Sequence, residues 1–388
     1  MRIAIISYFF TESTACLAKY IAKQGIEVDY YLKSNLLHEK GVYSGFEYKY
    51  SRKTPGISRL ENDSIKEIIE YTEGLPVKYY VLHLISDLPK YDLINKCILR
   101  KSMSYLKRQK YDAINIVGQF PLIEYMHNCL KGENLIHTFH EIGSHQDGQR
   151  TTPIIDAAIR DSSKVIIHSA STAKRFLSLP DAKEENVRVI PFGKFETNLL
   201  YERDVNINVP LDLSKPTFLF YGYIQPYKGL DILCSAHKEL GQCLDKFNLI
   251  IAGNGKDESL QYFHNQKNCF VINRFLSNDE MMKLNRMADV IVLPYHTASQ
   301  SGIVPTSFLY NKPIIATAVG AFVETITDGV NGVLVEKDNP QAFALAMKTL
   351  FEAPHLIRKL SEGTKLFGNG DCFDWDIIAR ESLKFIKS

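Results

Sequence analysis

Apolar positions along the chain fall into two alternating rhythms. Ile3-Ala4-Ile5-Ile6 is a short continuous run suited to a buried strand, Leu17, Ile21 and Ala22 follow at helical spacing, and Ile26 to Tyr31 returns to strand character. That β-α-β opening continues. Ile65, Ile68 and Ile69 predict a helix before a strand at Val77–Leu82, and Ile98, Met103 and Leu106 predict one before a strand at Asp112–Gly118. A further helix leads to Leu135–His140, and Val165–His168 and Val187–Ile190 finish this half. The polar and aromatic stretch from Lys33 to Ser58 has no clear period and reads as an insertion.

The rhythm breaks once. From Glu202 to Pro216 the chain is charged, with Asn and Pro and no period, the signature of an interdomain linker. Beyond it, strands are expected at Thr217–Tyr221, Leu249–Ala252, Phe270–Ile272, Val290–Leu293 and Ile314–Ala316, with helices starting near Lys228, Glu258, Asn278 and Thr306. Short apolar strands alternating with helices imply parallel sheets covered on both faces, so both halves read as doubly wound. The expected domains are 1–201 and 217–370, joined by the linker 202–216, with the segment 374–388, which holds the lone Trp375, as a last helix. In such sheets ligands sit beyond the carboxyl ends of the strands, and with two domains the natural site is the cleft between them.

Composition agrees with a folded two-domain protein: the chain has 388 residues, 45% of them hydrophobic and 23% charged. The 46 Lys and Arg nearly balance 44 Asp and Glu, so bulk charge implies no nucleic-acid partner. The seven cysteines are widely spaced, with no C-x-x-C pair, which fits a reduced, cytoplasmic compartment. The apolar run at the start is too short for a signal peptide or a membrane span. Peripheral contact at the inner membrane face stays open, because a membrane-facing surface can be assembled from segments distant in sequence.

Candidate chemistry gathers at strand ends. After Tyr221 come Gly222, Tyr223 and a short loop to Lys228, where Gly222 lets a ligand approach the backbone and the lysine places a cation beside phosphates. The alternative is a tight turn with a solvated lysine. Ser301, Gly302, Ile303 and Thr306, in the segment Ala298–Thr306, offer hydroxyls and backbone N–H groups suited to a diphosphate, or an ordinary Ser-rich helix cap. Gly253 and Asn254 form a strand-to-helix turn that lines the same cleft, and Arg274 beyond the next strand is a further donor contact. In the first half, His140 and Glu141 stand at a strand end where they can bond sugar hydroxyls or a developing charge, with histidines satisfied by backbone as the alternative. His137 and His140 point to opposite faces of a strand, which argues against a metal site. Thr11 and Glu12, in the loop Phe9–Thr14, can contact an acceptor or cap a helix.

Taken in order, these segments resemble glycosyltransferase family 4, the retaining GT-B enzymes. "FYGYIQPYKGLDIL" is similar to the family's G-R-x-x-x-x-K-G loop, "LIIAGNG" and "ADVIVLPY" to its next strands, and "NKPIIATAVGAFVETITDGVNGVLV" to its stretch around the later glutamate, here Glu324. The likeness spans roughly 218–350. It implies two Rossmann-like domains facing across a cleft, a nucleoside diphosphate-sugar donor in the second, a glycan or lipid-linked acceptor in the first, no metal, a role in bacterial polysaccharide assembly, and a last helix packed back on the first domain. Departures stand beside it. The family's loop arginine falls on Tyr223, and its E-x7-E glutamates fall on Ala298 and Thr306. A GT-B protein that binds a sugar nucleotide without turnover is therefore the alternative, whereas a nicotinamide dehydrogenase lacks its G-x-G-x-x-G after the first strand.

Overall fold

The computed structural model describes residues 1–8, 11–37, 54–60, 66–118, 120–140, 155, 159–160, 164–201, 205–299, 301–366 and 374–388. The chain divides into two compact units, Met1–Gly193 with Cys372–Ser388, and Lys194–Asp371. The division falls earlier than the expected linker, because the 3-10 segment Glu196–Tyr201 belongs to the second unit: Asn198 donates to the Thr306 hydroxyl at 3.0 Å.

The first unit is built on an eight-stranded sheet. Its strands are β1 (Arg2–Ser7), β2 (Glu27–Asn35), β3 (Gly56–Arg59), β4 (Val77–Leu84), β5 (Ala113–Val117), β6 (Leu135–Phe139), β7 (Lys164–Ile167) and β8 (Val187–Val189), in the order β3-β4-β2-β1-β5-β6-β7-β8. All neighbours are parallel except β3, which pairs antiparallel with β4. That edge strand lies in the stretch read as an aperiodic insertion. It is four residues long and only half-buried, so it carries no hydropathy signal. By contrast every residue of β5 and β6 is buried, as strands covered by helices on both faces must be. The expected loop Phe9–Thr14 is shorter than read, since the helix Thr11–Lys23 already begins at Thr11. The last helix, Trp375–Lys387, is started by Asp374, whose carboxylate accepts from the N–H groups of Asp376 and Ile377. Trp375 stacks on Tyr20 of the first helix at 6.4 Å, and Lys164 donates to the Ile386 carbonyl at 3.0 Å.

The second unit holds six parallel strands, β9 (Thr217–Tyr221), β10 (Asn248–Ala252), β11 (Cys269–Ile272), β12 (Val290–Leu293), β13 (Ile314–Thr317) and β14 (Gly332–Val335), in the order β11-β10-β9-β12-β13-β14. Strand order reverses at β9, and in sheets of this kind ligands bind beyond the carboxyl ends of the strands at such a switch point. β14 and the helices Pro340–Glu352 and Pro354–Leu366 go beyond the expected elements. Two expected helix starts also move. One helix begins at Leu230, after a 3-10 turn Pro226–Lys228, and another at Ile303 rather than near Thr306.

Candidate functional site

In the second unit the loops at the carboxyl ends of the strands are stitched together by backbone. Gly222 N–H donates to the Ala252 carbonyl at 2.9 Å, Ile224 N–H to Asn254 at 3.0 Å, and Gly253 N–H to Ile272 at 2.9 Å. Gly253 has φ +150°, and a Cβ on it would lie 1.8 Å from the Gly222 carbonyl oxygen. Only glycine fits there. On the other side, Ala321 N–H donates to the Ala298 carbonyl at 2.9 Å, tying the loop after β13 to that after β12.

Lys228 is the charged group these loops enclose. It is 8% exposed, and its ammonium donates to the Tyr295 hydroxyl at 3.0 Å and lies 5.0 Å from that ring's centre. Burial pushes its pKa down, and Tyr227 pulls the other way without offsetting it. A Cβ on Gly222 would lie 3.1 Å from Lys228 Nζ and 3.5 Å from Ile303 Cδ1. The lysine, the glycine and the start of the helix Ile303–Leu309 therefore converge on one point. Tyr295 extends the link. Burial raises its pKa so the hydroxyl stays protonated, and it is hydrogen-bonded with Ser301, whose Oγ accepts from Ile303 N–H at 3.3 Å. Lys228, Tyr295, Ser301 and Ile303 form one connected path between the loops after β9 and β12.

Several expected donor contacts have other work. Thr306 is buried, donates to the Gly302 carbonyl at 2.8 Å and accepts from Asn198, so its hydroxyl holds its own helix in place. Arg274 turns to Glu280 with bonds of 2.9 and 2.6 Å, and Glu280 also closes the capping box of the helix Asn278–Met287. Tyr223, at the arginine position, is 41% exposed. Asn254 is exposed and Glu324 sits exposed in the first turn of the helix Phe322–Thr325. Sequence reasoning missed Tyr295, which stands in the quoted "ADVIVLPY" but whose hydroxyl has no motif to announce it.

In the first unit His140, just past β6, is 4% exposed. Its ring stacks on Phe192 at 4.8 Å and lies 4.7 Å from His168. Burial, then His168 and His137, hold its pKa well below the ordinary value, so the imidazole is neutral near pH 7. His137 is engaged elsewhere, with Nε2 donating to the Gly118 carbonyl at 3.0 Å and Nδ1 at 3.2 Å from His127 Nε2. The two therefore do not converge, and among the described residues no group of three or more His, Cys, Asp or Glu side chains could hold a metal ion. A cavity of about 30 Å³ beside His140 is lined by Thr14, Thr138, His168, Ile190, Phe192 and Trp375 among others. Glu12 lies in the first turn of its helix. Glu141 and the side chain of Thr11 lie outside the described residues.

Residues 215–353 match the family model described as Glycosyl transferases group 1. An uncharacterized glycosyltransferase of Methanocaldococcus jannaschii is 26% identical over 243 residues, which cover 58% of this chain and 60% of that protein. The D-inositol 3-phosphate glycosyltransferase of Thermomonospora curvata is 22% identical over 379 residues, covering 89% and 83%. Among solved structures, HepE of Anabaena in complex with UDP matches over 100% of both chains with a TM-score of 0.67 at 17% identity. The fold is GT-B, and the second unit carries a glycosyltransferase domain.

Proposed function

We propose that the chain is a retaining family 4 glycosyltransferase that moves a hexose-type sugar from a nucleoside diphosphate donor to a hydroxyl of a glycan or lipid-linked acceptor. The observation that carries the reading is the meeting of Lys228 Nζ, Gly222 and Ile303 at the carboxyl end of β9, where strand order reverses. A buried ammonium there offers a preorganised positive charge in a low-dielectric setting, so it stabilises negative charge growing on a departing diphosphate more than it would in water. Glycine at 222 keeps the approach to it clear. The amides of Ser301 and Gly302 add donors for the same oxygens, that of Ile303 being turned to Ser301 Oγ, and Tyr295 fixes the lysine. In this reading no metal is needed at the diphosphate. The first unit binds the acceptor, with Thr11, Glu12 and Glu141 as candidate contacts, and His140 acts on the reacting sugar as a neutral hydrogen-bonding group. UDP bound to the Anabaena HepE supports a uridine donor.

A second reading, a protein that binds a sugar nucleotide without turnover, draws on Thr306, whose hydroxyl is already committed within the fold where a ribose-gripping glutamate would stand. Thermal denaturation with UDP, GDP or NAD added, on wild type and Lys228→Ala, tests the common ground. Stabilisation by UDP or GDP that falls in the variant by an amount matching about tenfold weaker binding is the expected outcome. Stabilisation by NAD alone, or by UDP to the same extent in both proteins, would remove the donor site from Lys228. Release of sugar from a UDP-sugar onto an acceptor then separates transfer from mere binding.

A further inference from the structure

The helix Asp92–Arg108 of the first unit presents an unusual outer surface. At its start stand Leu93, 78% exposed, Ile94, 52% exposed, and, just before it, Leu88, 48% exposed. Three branched aliphatic side chains facing water within seven residues form a patch rather than a scatter. Cys97 and the half-buried Ile98 continue it by one turn. From Lys90 to Lys110 there are seven Lys or Arg against one acidic residue, Asp92, while the whole chain carries only +2. Lys90, Lys96, Arg100, Lys101, Arg108 and Lys110 are exposed.

This surface is held in place. On the inner side of the helix Asn95 accepts from Ile85 N–H at 2.9 Å and donates to the Ser86 carbonyl at 2.7 Å, pinning the first turn to the end of β4. Leu99, Met103 and Leu106 are buried behind it. Leu93 and Ile94 therefore cannot turn inward without breaking buried hydrogen bonds.

We propose that this face docks on an anionic lipid bilayer, with Leu88, Leu93 and Ile94 entering the headgroup region and the flanking lysines and arginines facing lipid phosphates. Apolar tips ringed by cations are what such an interface requires, since the aliphatic side chains gain burial while long basic side chains keep their charge at the headgroups. A nucleic acid would match the charge but leaves no role for the exposed leucines. No described helix is long and apolar enough to cross a membrane. The inference stands on this surface alone and does not depend on the transfer reaction.

The test is co-sedimentation of the full chain with vesicles of phosphatidylcholine alone and of phosphatidylcholine mixed with phosphatidylglycerol. Binding to the mixed vesicles, weakened by salt and absent with phosphatidylcholine alone, is expected. The L93E/I94E and K96E/R100E/K101E variants should each lose about tenfold or more in partitioning while melting like wild type. Leu93→Ser and Ile94→Ser provide milder changes should the charged pair disturb folding. No binding to mixed vesicles, or binding unchanged in both multiple variants, overturns the proposal. So does self-association in sedimentation velocity that L93E/I94E abolishes without any vesicle binding, and so does capture of RNA lost only in the charge variant.

Discussion

The two units end their parallel sheets in opposite ways. At the carboxyl edge of the first, space is filled by rings: His140, His168 and Phe192 stack within 3.9 to 4.8 Å of one another, and Trp375 lies so close to Gly193 that a Cβ there would sit 2.4 Å from the indole. Among the described residues a cavity of about 30 Å³, room for a water molecule or two, lies beside these rings. At the edge of the second, glycines let backbone meet backbone and one buried ammonium stands where the strand order reverses. Similar topology thus supports a surface built on packing and another built on charge. The electrostatic part of the proposed chemistry belongs to the second.

The sharpest way to break the comparison is to add one carbon. Gly253→Ala places a methyl 1.8 Å from the Gly222 carbonyl at φ +150°, and should cost the second unit about 3 kcal/mol or more. Calorimetric melting would register it, and an unchanged transition would mean the loops after β9 and β10 are not so closely joined.

Acid should act on the first unit next. His137 and His140 are held well below the ordinary value and His168 falls to about 4, burial being the largest cause for each. A histidine kept neutral in the folded state takes up its proton on unfolding, so stability should fall as pH drops from about 6.5 towards 4, by about 3 kcal/mol from His168 alone, with His137 and His140 adding to the same slope. Urea titrations across that range test the slope, and His140→Phe should flatten it. His237 in the second unit, lowered to about 4, adds a smaller contribution of the same sign.

His296 gives the smallest effect and the opposite sign. Its Nδ1 lies 2.7 Å from Asp338 and its Nε2 3.0 Å from Asp231, and although burial pulls its pKa down, the two carboxylates raise it overall. This stabilisation is fully present below about pH 6.5 and is lost as pH rises through the folded value. The site is partly exposed, so no more than about 1 kcal/mol is expected. His296→Gln should melt closer to wild type at pH 8.5 than at pH 6, and equal differences at both would contradict the clamp.

The same contrast explains what was legible in the sequence. Close backbone approach demands glycine, and a parallel strand demands an unbroken apolar run, so Gly222, Gly253, Lys228 and five of the six strands of the second unit could be read in order. Ring stacking leaves no such trace: nothing marks Phe192 as the partner of His140, 52 positions earlier. Nor does residue type reveal prior commitments. Arg274 belongs to Glu280 and Thr306 to Gly302 and Asn198 because tertiary neighbours claim them first. β3 and β14 escaped because each is a four-residue strand at a sheet edge with at least two partly exposed residues, too short to carry a periodicity.

Lys228 is where the account is most exposed to refutation. The rate of sugar transfer from a UDP-sugar by Lys228→Ala, normalised to folded protein by calorimetry, should fall about 10²–10³-fold with the melting transition retained, as for loss of one preorganised charge-stabilising donor. Transfer at the wild-type rate by the folded variant would contradict the assignment of the leaving-group charge to this lysine.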